Sequence, residues 1–262
     1  MNLDLSNKNA LVCGGSRGIG KAAAIELATL GANVILMARN ETVLQEVIAI
    51  LPTPNNQKHS YIIGDYADFD DIIKQISVFL LKKPIHILIN NTGGPPGGAI
   101  AEATPEAFLS AFQNHLIANH RLTTLLMEGM KKEQFGRIIN IVSTSVKQPL
   151  DGLGVSNTTR AAVAGWAKTM SNELAKFGIT VNNILPGATR TDRLEQIIAA
   201  NANKKSVEIE NIADEMKNEI PMRRFAEAEE IAAAVAFLAS PAASYITGVS
   251  LAVDGGRIKS LS

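Results

Sequence analysis

Residues 10–40 read ALVCGGSRGIGKAAAIELATLGANVILMARN, and this stretch decides the fold. The run ALVC (10–13) is apolar without alternation, as in a strand buried on both faces. It breaks into CGGSRGIG (13–20), where glycine allows a tight turn and a close backbone approach. KAAAIELATLGA is a good helix former, and NVILMA (33–38) is a second buried strand. Together they make a βαβ unit with a glycine-rich loop at a helix N-terminus. Free N–H groups and partial positive charge there favour a phosphate. Gly14, Ser16, Arg17, Gly18, Ile19 and Gly20 are therefore candidate dinucleotide contacts.

The alternation continues outward. SYIIG (60–64), IHILIN (85–90), RIINIVS (137–143), ITVNNIL (179–185) and SLAVD (250–254) read as strands. Helices are expected near 18–30, 41–50, 68–82, 105–132, 156–177 and 227–239. This spacing predicts a three-layer, doubly wound Rossmann arrangement: a seven-stranded parallel sheet with helices on both faces. No repeat or linker divides the chain, so residues 1–262 are expected to form one domain. PTPNNQ (52–57) and TGGPPGG (92–98) read as loops. Residues 190–225 interrupt the pattern with a long, polar, helix-prone stretch, which suggests a substrate lid.

Bulk composition narrows the function. Lys plus Arg equals Asp plus Glu, 25 against 25, which argues against a nucleic-acid binder held by bulk charge. The single cysteine, Cys13, excludes an intramolecular disulfide and fits a reducing, cytoplasmic compartment. No signal peptide or membrane span is expected. The end of the second strand indicates the coenzyme. An acidic residue there would bind the ribose 2′-OH of NAD, but the chain has Ala38-Arg39-Asn40. Arg39, with Arg17 in the facing loop, suits a 2′-phosphate, so NADP(H) is expected.

These residues resemble the short-chain dehydrogenase/reductase family, in particular the 3-oxoacyl-acyl-carrier-protein reductases, over nearly the whole chain. CGGSRGIG is similar to the family's TGxxxGxG, with Cys13 in place of threonine. Asp65 in GDYAD resembles the adenine-contacting aspartate, and NNTG (90–93), with Asn91 and Gly93, resembles the NNAG beneath the cofactor. PGATRT (186–191), with Pro186, Gly187, Thr189 and Thr191, is similar to the PGxxxT stretch that closes over the nicotinamide. SYITGVSLAVDGG (244–256) is similar to the family's ending near a subunit interface. The resemblance implies NADPH-linked reduction of a small-molecule or acyl-thioester substrate.

The catalytic motif departs from that pattern. The family carries Asn, Ser, Tyr and Lys, with the tyrosine donating the proton and YxxxK on one helix face. Aligned through GRIINIVS and AAVAGWAKTMSNELA, Ser143 takes the serine position, Ser156 the tyrosine position and Arg160 the lysine position. His115 takes the asparagine position. The three tyrosines, Tyr61, Tyr66 and Tyr245, are followed four residues on by Asp65, Asp70 and Val249, so no YxxxK exists. A serine hydroxyl is shorter than a phenol and a far weaker acid, and arginine does not relay protons.

Three readings stay open on the residues alone. In one, Ser143, Ser156 and Arg160 hold a carbonyl oxyanion, and His115, titrating near neutrality, or water supplies the proton. In another, the protein binds NADPH without turnover, as a sensor or scaffold. In the third, the vacated space supports a bulkier substrate or reduction of an activated C=C. His120 lies off the face of His115, so no metal pair is expected. In the lid, Leu194, Ile197 and Ile198 are expected to face a pocket. Arg190, Arg193, Arg223 and Arg224 at its ends could attract an acidic carrier protein. The resemblance implies a homotetramer, with Met127, Met130, Trp166 and Met170 packing between subunits.

Overall fold

The computed structural model describes residues 1–261. Among them run β1 (Asn9–Cys13), α1 (Gly18–Thr29), β2 (Asn33–Ala38), α2 (Glu41–Ile50), β3 (Ser60–Ile63), α3 (Phe69–Leu80) and β4 (Ile87–Asn90). There follow α4 (Pro105–Phe112), α5 (Ala118–Lys132), β5 (Gly136–Ile141), α6 (Gly154–Leu174) and β6 (Ile179–Pro186). The chain closes with α7 (Asp192–Lys205), α8 (Ile209–Asn218), α9 (Ala228–Ala239) and β7 (Ser250–Val253). The seven strands form one sheet in the order β3-β2-β1-β4-β5-β6-β7, and every pairing is parallel. The expected doubly wound arrangement is therefore present. The order reverses between β1 and β4, and such a switch point opens a crevice at the carboxyl ends of the strands.

The unalternating strands bury side chains on both faces. On one, Val12, Val34, Leu36, Ile87 and Ile89 pack with α1, α2 and α9, where alanines such as Ala23, Ala24 and Ala232 permit close helix approach. On the other, Leu11, Ile35, Leu88, Ile138 and Val181 pack with α3, α5 and α6. Full burial of each such Leu or Ile contributes about 1.5–3 kcal/mol. Met130 and Met170 belong to this second core, which corrects their expected place between subunits: helical spacing turns both onto the sheet. Met127 and Trp166 lie half-buried at its margin.

A polar row crosses the same face. Asn90 donates to Asn140 at 2.9 Å, Asn140 donates to Asn183 at 2.9 Å, and Asn183 donates to Ser250 at 3.1 Å. These residues are direct partners in the register of β4 to β7, so short amides on successive strands meet side by side.

Two segments differ from expectation. The helix expected over 105–132 is interrupted at Gln113–Ile117 by a π turn, a widening that helices often show at functional sites. Residues 190–225 form α7 and α8 with a small core of their own, including Leu194, Ile198, Ile212, Ile220 and Phe225. Leu194 and Ile198 thus pack inside this unit rather than facing a pocket, because α8 offers them an apolar partner face. Among the described residues, no helix is long and apolar enough to cross a membrane.

Candidate active site

The glycine loop lies at the switch point. Gly14 and Gly18 have φ of +60° and +50°, a left-handed backbone that glycine adopts freely. A Cβ on Gly14 would stand 2.6 Å from the Asn91 carbonyl oxygen, so the loop and the end of β4 touch without side chains between them. Asn91 Nδ2 donates to the Gly14 carbonyl at 3.3 Å across the crevice. The first turn of α1 holds no acidic residue, and its N-cap, Arg17, makes no side-chain cap. The orphan N–H groups there suit a pyrophosphate, so the residues fit a dinucleotide. Ile19 and Gly20 lie in the same turn, and Ser16 lies in the loop just before it.

Arg39 follows β2 and is exposed, and among the described residues it forms no ion pair with a carboxylate. Arg17, expected near a 2′-phosphate, donates from Nη1 at 3.1 Å to Oδ2 of Asp192, the first residue of α7. Both side chains are largely exposed, so the pair is weak. Asp65 accepts from the Ala67 N–H at 3.0 Å. Pro186 ends β6, and Gly187 packs so closely on Asp254 that a Cβ would lie 2.7 Å from the Asp254 Cα. Thr189 donates to the Gly187 carbonyl, and Thr191 caps α7 while its methyl stands over Gly18.

Of the catalytic candidates, Arg160 and His115 come close enough for the charge of one to act on the other. Ser143 follows β5 and its Oγ accepts from the Ser145 N–H at 3.1 Å. Ser156 lies in the first turn of α6, half-buried. Arg160, one turn on, is only 8% exposed and donates from Nη1 to the Ile141 carbonyl at 3.0 Å. Burial pushes its guanidinium down to about 10, so it stays charged at neutral pH. His115 is 2% exposed, and its Nδ1 shares a 2.5 Å hydrogen bond with Thr92 Oγ1. Burial, and then the charge of Arg160, push His115 down to about 3. This corrects the expectation that His115 titrates near neutrality: its ring is neutral there and holds no imidazolium proton to give.

The loop after Gly93 forms a wall that sequence reading missed. Gly98 donates to the Gly152 carbonyl at 2.7 Å and Gly154 donates to the Gly98 carbonyl at 3.2 Å, which ties the loop to the start of α6. Arg193 Nη2 donates to the Pro95 carbonyl at 3.2 Å, tying α7 to the same loop. Behind it lies a cavity of about 610 Å³ lined by Gly93, Gly94, Ala103, Asn114, His115 and Val155, among others. Thr92 was also missed, although NNTG in place of NNAG marked it as a departure. The arginine cluster at the lid ends is partly neutralised: Arg190 pairs with Glu227 at 2.8 Å and Arg224 with Glu230 at 2.6 Å. That weakens the expected attraction for an acidic carrier.

Known proteins share this architecture. The family profile described as Enoyl-(Acyl carrier protein) reductase matches residues 14–257. The NADPH-dependent reductase BacG of Bacillus subtilis (strain 168) is 32% identical over 265 residues, covering 98% of this chain and 100% of the relative. The 3-oxoacyl-[acyl-carrier-protein] reductase FabG of Vibrio cholerae is 34% identical over 256 residues, covering 97% of this chain and 98% of the relative. The crystal structure of L-sorbose reductase from Gluconobacter frateurii, complexed with NADPH and L-sorbose, superposes with a TM-score of 0.91 at 31% identity, covering 100% of both chains.

Proposed function

The chain belongs to the short-chain dehydrogenase/reductase family, and we propose that it is an NADPH-dependent reductase of a carbonyl substrate that works without a phenolic proton donor. One observation carries the reading: a phosphate-ready crevice with Arg39 at its edge adjoins a pocket lined by Gly93, Gly94 and His115, with the buried Arg160 close to Gly94. NADPH, when bound, supplies the hydride.

In this reading the first turn of α1, with Gly14, Ser16, Gly18, Ile19 and Gly20, holds the pyrophosphate. Arg39 holds the 2′-phosphate, joined by Arg17 once Asp192 releases it. Asp65 takes the adenine, Asn91 and Gly93 form the floor, and Pro186, Gly187, Thr189 and Thr191 flank the nicotinamide end. Arg160 uses one N–H on Ile141 and has others for the ribose and for negative charge growing on the substrate oxygen. Ser143 and Ser156 orient that oxygen. His115, neutral, serves as a hydrogen-bonding group, and water in the space left by the missing phenol delivers the proton. Residues 190–225 act as a lid, stapled by Arg17–Asp192 and Arg193–Pro95. As with its relatives, 3-oxoacyl thioesters are among the candidate substrates. The proposed assembly is a cytoplasmic homotetramer.

A second reading, reduction of a conjugated C=C, is favoured by the permanent charge of Arg160, which would stabilise an enolate later protonated by water. Rapid-mixing measurements of NADPH oxidation over ketones, 3-oxoacyl thioesters, enones and quinones test both. Saturable oxidation with at least one class is expected. Ser156→Tyr with Arg160→Lys should create or raise ketone reduction. Tight NADPH binding with no oxidation by any class would instead support a coenzyme sensor.

A further inference from the structure

Two residues that leave the family pattern lie against each other. Thr92 stands where the resemblance has alanine, and His115 where it has asparagine. Thr92 follows β4, whose end is held to the glycine loop by the bond from Asn91 to Gly14. His115 lies in the π turn Gln113–Ile117 and is 2% exposed. Its Nδ1 and Thr92 Oγ1 share a 2.5 Å hydrogen bond, the only one that either side chain makes among the described residues. The other ring nitrogen, Nε2, has no partner there. Nor is it one of the polar side-chain atoms sealed from solvent without a partner, a set that holds Tyr66 Oη, Asn90 Oδ1, Thr123 Oγ1, Ser145 Oγ and Thr180 Oγ1. His115 lines the cavity behind the loop after Gly93, so Nε2 is the atom it offers there.

A neutral imidazole carries one N–H and one lone pair, and the bond made by one nitrogen decides what the other offers. Burial and the charge of Arg160 keep this ring neutral. If Nδ1–H donated to Thr92, the threonine proton would have no protein acceptor, and Nε2 would show the cavity a lone pair. If Thr92 donates to Nδ1, one bond uses both the hydroxyl proton and the ring acceptor, and Nε2–H faces the cavity. An alanine at position 92 would impose neither. We propose that Thr92 is a positioning residue: its hydroxyl donates to Nδ1 and fixes His115 as an Nε2–H donor aimed at a substrate oxygen in the cavity. The use of that donor in turnover rests on the reductase reading above. The tautomer stands on the contact between Thr92 and His115 alone.

The test is a proton–nitrogen correlation spectrum of the imidazole rings at pH 7 on the coenzyme-free, nitrogen-15-labelled protein, with the His115 signals identified by their absence from His115→Asn. Wild type should show a single Nε2–H tautomer at His115. Thr92→Val keeps the shape but removes the hydroxyl, and should give Nδ1–H or a mixture. Thr92→Ser keeps the hydroxyl and should restore the wild-type pattern. An Nδ1–H ring in wild type, or the same tautomer in wild type and Thr92→Val, would overturn the inference, and the wild-type reading needs no variant to fold. With any substrate that the NADPH oxidation screen identifies, Thr92→Val should lower kcat about tenfold, as loss of one aligned neutral donor implies, and Thr92→Ser should recover most of it. An unchanged kcat in Thr92→Val would overturn the role in turnover. Absence of any turnover would overturn the reductase reading alone, because the tautomer is read without coenzyme or substrate.

Discussion

His115→Asn should make the protein less sensitive to acid. In the folded chain His115 is pushed from an ordinary 6.5 to about 3, first by burial and then by the charge of Arg160. A histidine whose folded pKa is depressed contributes stability that is fully present above 6.5. It is lost as pH falls from 6.5 towards 3, because the unfolded chain takes up a proton that the folded one refuses. Each pH unit in that window costs ~1.36 kcal/mol, so from pH 7 to pH 4 this group alone removes roughly 3 kcal/mol. Urea unfolding of wild type and His115→Asn across pH 4–8 isolates the effect, since the carboxylates contribute alike to both. The two curves should run parallel above pH 7 and separate below it, with the wild type falling faster by about one proton's slope. Parallel curves throughout, or a His115 ring signal in NMR that titrates near 6.5, would refute the burial argument and restore His115 as an acid near neutrality.

Three further changes probe the frame. Arg39→Asp should weaken NADPH by about tenfold or more while sparing NADH, read by coenzyme fluorescence titration. Gly14→Ala, with φ of +60° and a Cβ forced to 2.6 Å from the Asn91 oxygen, should cost about 2 kcal/mol or more in chemical denaturation and weaken coenzyme binding. Asn140→Leu leaves the Asn90 amide and the Asn183 oxygen without their partners and should cost roughly 2–4 kcal/mol in the same assay.

The sheet was legible because its strands are apolar on both faces and the glycine loop marks where the first one ends. The site was legible only as positions. Ser143, Ser156, Arg160 and His115 could be placed by alignment, but the chemistry of His115 depends on its burial and on Arg160 nearby, which no sequence window contains. The π turn was hidden because 105–132 carries helix-compatible residues throughout, and the backbone count within a turn leaves no mark on composition. Arg17 was assigned by its loop alone, whereas its partner Asp192 is 175 residues away. The Asn90–Asn140–Asn183 row was likewise invisible: each asparagine reads singly as a poor strand former, and only the register puts them abreast.

The crevice should grip a 2′-phosphorylated nicotinamide coenzyme, and calorimetric titration of the purified protein with NADPH and with NADH reads this out. Saturable one-site binding of NADPH is expected, at least tenfold tighter than NADH. Tighter binding of NADH, or no heat with either coenzyme, would contradict it.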